Sequence, residues 1–181
     1  MPPSTHLALL RGINVGGRNK LPMKGLIPLF EGLDCTDVRT FIQSGNVLYR
    51  APRGRAGEVA ALVSRAIHGE FGLEVPVVVR SIAQLRNALE NNPFLAEGAD
   101  TEHLHLGFFA RKPARTKVAA LDSERSPGDR YAIQGAEVYF HCPGGLARTK
   151  LTSAFFDKGL GTIVTVRNWK TASRLLELAQ A

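Results

Sequence analysis

Two cysteines, a single tryptophan and no long apolar run are what this chain has least of. Cys35 and Cys142 are far apart and neither belongs to a CxxC pair, which argues against a disulfide framework and against a zinc site. No apolar stretch approaches the roughly 18 residues that span a bilayer, and the run at residues 7–10 is far shorter. The N-terminal residues 1–5 lack the basic region and apolar core of a signal peptide. The expected location is therefore a reducing cytoplasm, with no membrane partner.

Catalytic signatures are missing as well. There is no HExxH, no Gly-x-Ser-x-Gly and no cysteine spaced for activation, and Ser44 has no named base. His103 and His105 share a strand face, with His141 and Cys142 on a neighbouring element, but carboxylate support for a metal is not evident. No metal and no cofactor is expected.

What is present is the balance of a globular protein: 181 residues, 44% hydrophobic and 22% charged, enough for one domain or two small fused halves. The net charge of +7 is uneven. Residues 1–102 hold 11 Lys and Arg against 10 Asp and Glu, leaving +1, whereas residues 103–181 hold 12 against 6, leaving +6. A clustered basic surface attracts polyanions, so an anionic partner is favoured: nucleic acid, a nucleotide or a phosphorylated metabolite.

Residues 6–11 read as a strand entering a glycine-rich loop. A helix follows from Pro22, with Met23, Leu26, Ile27, Phe30 and Leu33 on one face and Pro28 interrupting it. Residues 38–43 and 46–50 form a hairpin turned at Ser44-Gly45. A helix over 58–71 closed by Gly72 and a strand over 75–79 complete a β-α-β-β-α-β order. A connecting helix over 81–91, capped by Ser81 and ended by Pro93, precedes a second copy. That copy has a strand at 103–109, a short helix at 113–121, a hairpin at 130–134 and 137–140, a helix at 146–158 closed by Gly159, and a strand at 162–166. Asn168 then caps a terminal helix. The expected fold is α+β: two consecutive ferredoxin-like βαββαβ repeats, residues 1–80 and 103–181, joined by a connecting helix and loop over 81–102 and closed by a C-terminal helix, as one compact module.

Three stretches are distinctive: Leu9-Leu10-Arg11-Gly12-Ile13-Asn14-Val15-Gly16-Gly17, Phe41-Ile42-Gln43-Ser44-Gly45-Asn46-Val47, and Thr165-Val166-Arg167-Asn168-Trp169. In this order they resemble the bacterial DUF1697 family, a domain of unknown function. The resemblance implies the same duplicated α+β arrangement. Its matching positions are Arg11, Asn14, Gly16 and Gly17, then Gln43, Ser44, Gly45 and Asn46, then Arg167, Asn168 and Trp169. A family-like Ser-Lys-Leu-Thr segment stands here as Thr149-Lys150-Leu151-Thr152. No catalytic role comes with any of these positions.

Three candidate ligand sites follow. In residues 12–20 glycines let backbone N–H groups approach an anion, with Arg18 and Lys20 before a helix, although neither a P-loop nor GxGxxG is matched; the plainer alternative is a flexible turn. Pro143-Gly144-Gly145 with Arg148, Lys150 and Thr152 repeats the recipe, but one of its two cations is as readily a solvated surface charge. Arg167, Asn168 and Trp169 could stack on and hydrogen-bond a base, or serve as a helix cap with an anchoring indole. Gln43, Ser44 and Asn46 are, equally, ordinary turn residues. The ligand set expected is thus Arg11, Asn14, Gly16, Gly17, Lys20, Gln43, Ser44, Asn46, Lys150, Arg167, Asn168 and Trp169. The leading function is binding of nucleic acid or a nucleotide. The alternatives are an enzyme acting on a phosphorylated small molecule, or a structural or protein-interaction subunit.

Overall fold

A computed structural model describes residues 4–51 and 54–180. Met1, Pro2 and Pro3, part of the N-terminal stretch read for signal-peptide features, lie outside them. The chain forms two compact units, one running through Leu85 and including the chain end from Leu178, the other covering Arg86–Glu177.

The first unit is built from β1 (Thr5–Leu10), α1 (Met23–Glu31), β2 (Thr36–Phe41), β3 (Asn46–Arg50), α2 (Val59–Phe71) and β4 (Val77–Ser81). Its strands lie in the order β2-β3-β1-β4, each antiparallel to its neighbour. Successive strand side chains point to opposite faces. Ala8 and Leu10 of β1 and Val47 and Tyr49 of β3 therefore meet Leu26 and Phe30 of α1 and Val59, Val63 and Ile67 of α2 in one core. Leu7, Leu9 and Leu48, on the other face, are buried too. Pro28 sits inside α1 on an exposed turn, so the helix runs through it.

The second unit contains α4 (Pro93–Ala96), β5 (Leu104–Phe109), α5 (Arg115–Ala119), β6 (Arg130–Gln134), β7 (Glu137–His141), α6 (Ser153–Leu160) and β8 (Val164–Asn168). Helix α3 (Ile82–Glu90) starts in the first unit and ends in the second, and α7 (Trp169–Gln180) runs the other way. The strand order is β6-β7-β5-β8, again antiparallel throughout. Phe109, Val138, Phe140, Leu151, Phe156 and Leu160 form its core, with the Phe156 ring edge-on to Tyr131 and Phe140. The chain is thus a mixed α+β fold with two four-stranded antiparallel sheets. Among the described residues no helix is long and apolar enough to cross a membrane.

The sheets are locked in matching ways. Leu10 N donates to Gly45 O (2.8 Å) and Arg11 N to Pro76 O (3.0 Å) in the first unit. Phe109 N donates to Ala136 O and Ala110 N to Ile163 O, both 2.8 Å, in the second.

Several expected boundaries move. The first hairpin turns through the four residues 42–45, not Ser44-Gly45 alone, because Phe41 pairs with Asn46. Helix α6 starts at Ser153 instead of residue 146. The Thr149 hydroxyl accepts from Leu151 N (3.1 Å) and the Thr152 hydroxyl from Phe155 N (3.2 Å), so side chains hold the preceding segment out of the helix and cap it. Gly161, at φ +67°, terminates α6, and Gly159 lies within it. Pro93 opens α4 as well as following α3, a position where its missing N–H is harmless.

Candidate anion-binding surface

The glycine loop closes on itself. Gly16 and Gly17 take φ +58° and +74°, a pair of left-handed angles that suits a tight hairpin turn, and Arg18 N donates to Val15 O (3.0 Å) across it. One step out, Asn14 N donates to Asn19 O (3.1 Å), and the Asn19 amide donates to Gly12 O (2.9 Å). Both flanks are pinned in the core by Ile13 and Leu21, each 1% exposed. The loop takes the form of a miniature hairpin with two apolar anchors.

Asn14 joins this loop to the β2–β3 turn. Its Nδ2 donates to Leu21 O and to Gln43 O, and its Oδ1 accepts from Leu21 N, all at 2.9 Å. The Asn14 amide is thereby occupied in positioning, and the loop and the Gln43-Ser44-Gly45-Asn46 turn become one assembly. Gly45 makes the approach possible: at φ +82°, a Cβ there would stand 2.7 Å from Leu10 Cβ and 2.9 Å from Ile13 Cδ1. Asn46 is fully buried and braces the turn from inside, donating to Phe41 O (3.1 Å) and to the Ser44 hydroxyl (3.0 Å). Ile42, the residue opposite in character to what a left-handed position favours, holds φ +50° and is 48% exposed. Backbone conformations of that kind cost roughly 1–2 kcal/mol for a non-glycine residue.

Electrostatics favour anions. Residues 1–30 contain no Asp or Glu, while Arg11, Arg18, Lys20 and Lys24 all fall there. Arg18, Lys20 and Lys24 are exposed and Arg11 is half-buried. The carboxylate of Asp37 lies at the other end of the β2–β3 pair, beside Arg39 (3.5 Å) and Arg50 (3.6 Å). Gly16, Gly17 and Gln43 are exposed alongside the cations, and Ser44 is half-buried.

The remaining residues expected at a site belong to the second unit. Lys150 has an exposed side chain, and its backbone N donates to the Ser126 hydroxyl (3.0 Å), which in turn donates to Asp129 (2.7 Å). The turn at Pro143-Gly144-Gly145 closes through Gly145 N to Cys142 O (2.9 Å). Arg167 is buried, and its guanidinium donates to the Thr165 hydroxyl (3.0 Å) and Val166 O (2.9 Å); burial pulls its pKa down to about 10. Asn168 caps α7, accepting from Thr171 N (2.7 Å), and Trp169 is half-buried at the first position of that helix. This corner stands at the end of β8 that pairs with the start of β5, where His105 faces Asn168.

Arg80 and Ser81 occupy the same place in the first unit; Ser81 is the cap expected for the connecting helix, whereas Arg80 was not singled out in the sequence. Arg80 is buried and donates to Val79 O (3.0 Å), Ser81 and Gln84 cap α3 reciprocally, and His6 faces Ser81. The Arg-Ser and Arg-Asn dipeptides ahead of two capped helices were the signal that could have found it. Other residues the sequence did not mark are Asn19, which ties the loop, and Ile42.

Acid–base and thiol chemistry finds little here. Burial pushes the Cys142 thiol up to about 11 and raises Cys35 as well, so neither is poised as a thiolate. Among the described residues no group of three or more His, Cys, Asp and Glu side chains is arranged to hold a metal ion. His103 and His141 pack ring edge to face, 6.3 Å between centroids.

A family model described as protein of unknown function (DUF1697) matches residues 4–139, a stretch that holds the glycine loop and the β2–β3 turn and ends before Arg167. The structure of the conserved bacterial protein SP0830 from Streptococcus pneumoniae is similar, with a TM-score of 0.78 at 19% identity over 99% of each chain. At that identity the likeness is one of fold. No curated protein matches the chain.

Proposed function

We infer that this chain, which belongs to the DUF1697 family, is a cytoplasmic binding protein whose first unit takes up nucleic acid on the surface formed by the glycine loop and the β2–β3 turn. One observation carries this reading: Asn14 fastens loop and turn into a single ordered platform in a stretch of sequence that holds four cations and no carboxylate. Left-handed backbone at Gly16 and Gly17 favours contacts between an anion and exposed main chain, and Arg18 and Lys20 supply charge beside it. The exposure of Val15, Gly16, Gly17, Ile42 and Gln43 favours an extended ligand over an engulfed one. Val15 and Ile42, 65% and 48% exposed, offer apolar surface for bases next to cations for phosphates. An enzyme reading draws less support, since the cysteines are raised and the amides of Asn14 and Asn46 are engaged in holding the turn. The element order and the strand order β2-β3-β1-β4, repeated as β6-β7-β5-β8, support the further reading of each unit as a ferredoxin-like repeat.

The test is fluorescence anisotropy of labelled single-stranded oligonucleotides across a salt series. Wild-type protein should bind at low salt and lose affinity steeply as salt rises. Arg18→Ala/Lys20→Ala should weaken binding and flatten the log–log salt slope by about 1.4, the share of two phosphate contacts on a single strand. A charge-matched Arg65→Ala/Arg86→Ala control, on exposed helix positions, should keep the slope. Absence of binding at low ionic strength, or equal losses in both double variants, defeats the proposal.

A further inference from the structure

We propose that the second unit holds a separate site for a phosphate monoester with an apolar body, of the size of a nucleoside monophosphate. The site is a cleft of about 300 Å³ between the β5–α5 connection and the β6–β7 turn, lined by Lys112, Pro113, Arg115, Val118, Ile133 and Gly135. That volume lies at the small end of ligand pockets.

Its lining mixes two chemistries. Lys112 and Arg115 contribute cations, and Pro113, Val118 and Ile133 contribute apolar surface. Residues 103–121 contain no Asp or Glu but do contain Arg111, Lys112, Arg115 and Lys117, so the segment that supplies the cleft's cations brings no carboxylate of its own. Arg111 and Lys117 turn to the neighbouring α6–β8 corner. Arg111 N donates to the Thr162 hydroxyl (3.0 Å) and its guanidinium to Gly161 O (3.4 Å), and Lys117 Nζ stands 2.7 Å from where a Cβ on Gly161 would be. Lys112 and Arg115 are the two cations that line the cleft itself. A phosphate monoester carries about −1.5 to −2 charges at neutral pH, which matches two cations in one lining better than a carboxylate does. A guanidinium can engage two of its oxygens while an ammonium acts as a point charge.

The rim restricts the rest of the ligand. Glu137 places a carboxylate oxygen 3.7 Å from the position a Cβ on Gly135 would take, so a second phosphate is disfavoured there. A single phosphate on an uncharged body with an apolar ring face suits that mixed lining. None of these residues takes part in the glycine-loop platform, so this site stands or falls independently of the nucleic-acid reading.

Isothermal titration of the full chain with adenosine monophosphate, adenosine and inorganic phosphate tests this. Adenosine monophosphate should bind more tightly than either fragment. Lys112→Ala/Arg115→Ala should weaken it about tenfold or more, as expected when hydrogen bonds to a charged group are lost. Ile133→Thr should weaken adenosine monophosphate while leaving inorganic phosphate unchanged, and Arg18→Ala/Lys20→Ala should leave both unchanged. The inference is overturned if adenosine monophosphate does not bind, if inorganic phosphate binds as tightly, if Lys112→Ala/Arg115→Ala binds as wild type, or if the Arg18→Ala/Lys20→Ala variant abolishes binding.

Discussion

In the first unit β1 passes through residues 11–22 before α1, whereas in the second β5 passes through residues 110–114 before α5. The strand ends are nevertheless fastened alike, by Leu10 to Gly45 and Arg11 to Pro76 in one and by Phe109 to Ala136 and Ala110 to Ile163 in the other. Closing the sheet therefore does not require the longer connection. What the extra residues add is a hairpin with left-handed backbone at Gly12, Asn14, Gly16, Gly17 and Asn19, set against left-handed Ile42 and Gly45 in the facing turn. Conformations of this kind concentrate where surrounding structure over-determines them, and such places are often functional. Here Ile13, Leu21 and Asn14 supply that surrounding structure. The second unit, with its two-residue turn at Gly135-Ala136, has a cleft at the corresponding end in place of a platform.

The difference can be broken first at Gly45. Alanine there combines a left-handed conformation with a 2.7 Å encounter with Leu10 Cβ, and should cost about 3 kcal/mol, read as a shift in the denaturant midpoint. A loss below about 1 kcal/mol would mean that loop and turn are not tightly packed.

The centres of the first strands come next. Gly107 in β5 and Ala8 in β1 hold matching places, Gly107 between Val138 and Val166, Ala8 between Val47 and Val79. A Cβ on Gly107 would stand 2.6 Å from Val138 Cγ1 and 3.1 Å from Val164 Cγ2, so Gly107→Ala should destabilise by about 2 kcal/mol in chemical denaturation. Ala8→Gly, which removes a methyl without a clash, should cost about 1 kcal/mol. Equal costs would show that the two sheets are packed alike after all.

Asn14→Ala should lower stability by about 1.5 kcal/mol, leaving Leu21 and Gln43 without their partner. It should also weaken oligonucleotide binding although the charge is untouched. Unchanged binding would separate the platform from the ligand.

The smallest effect is one of pH. Burial holds the His105 imidazole below its ordinary pKa, so the unfolded chain takes up a proton before the folded one does. Its contribution to stability is fully present above the unfolded value and is lost as pH falls toward the folded value. The melting temperature should drop on acidification from neutral pH, and His105→Phe should lessen the drop. An identical pH profile in the variant would contradict that environment.

Much of the fold is visible in sequence because its signals are local. The unbroken apolar run Leu7–Leu10, the apolar stripe of Val59, Val63 and Ile67, and Gly72 as a left-handed stop all report their own surroundings. Residues 146–152 mislead because Leu151 fits a helical stripe with Ala154 and Phe155, and the decision falls to the Thr149 and Thr152 hydroxyls. The Gly16-Gly17 turn is written locally. Asn14 is legible as a loop residue, but its bond to Gln43 reaches across 29 positions and exists only once β1 and β3 have paired. The likeness of Arg80-Ser81 to Arg167-Asn168 is hidden for a similar reason: the match lies in strand register, while the neighbouring residues differ.

Loop and turn are proposed to act as one anion-binding surface. Backbone amide chemical-shift mapping during titration with a short single-stranded oligonucleotide addresses it directly. Gly16, Gly17, Arg18, Gln43 and Ser44 should shift together with one apparent affinity, which Asn14→Ala weakens. Shifts confined to other residues, or loop and turn responding with separate affinities, would contradict it.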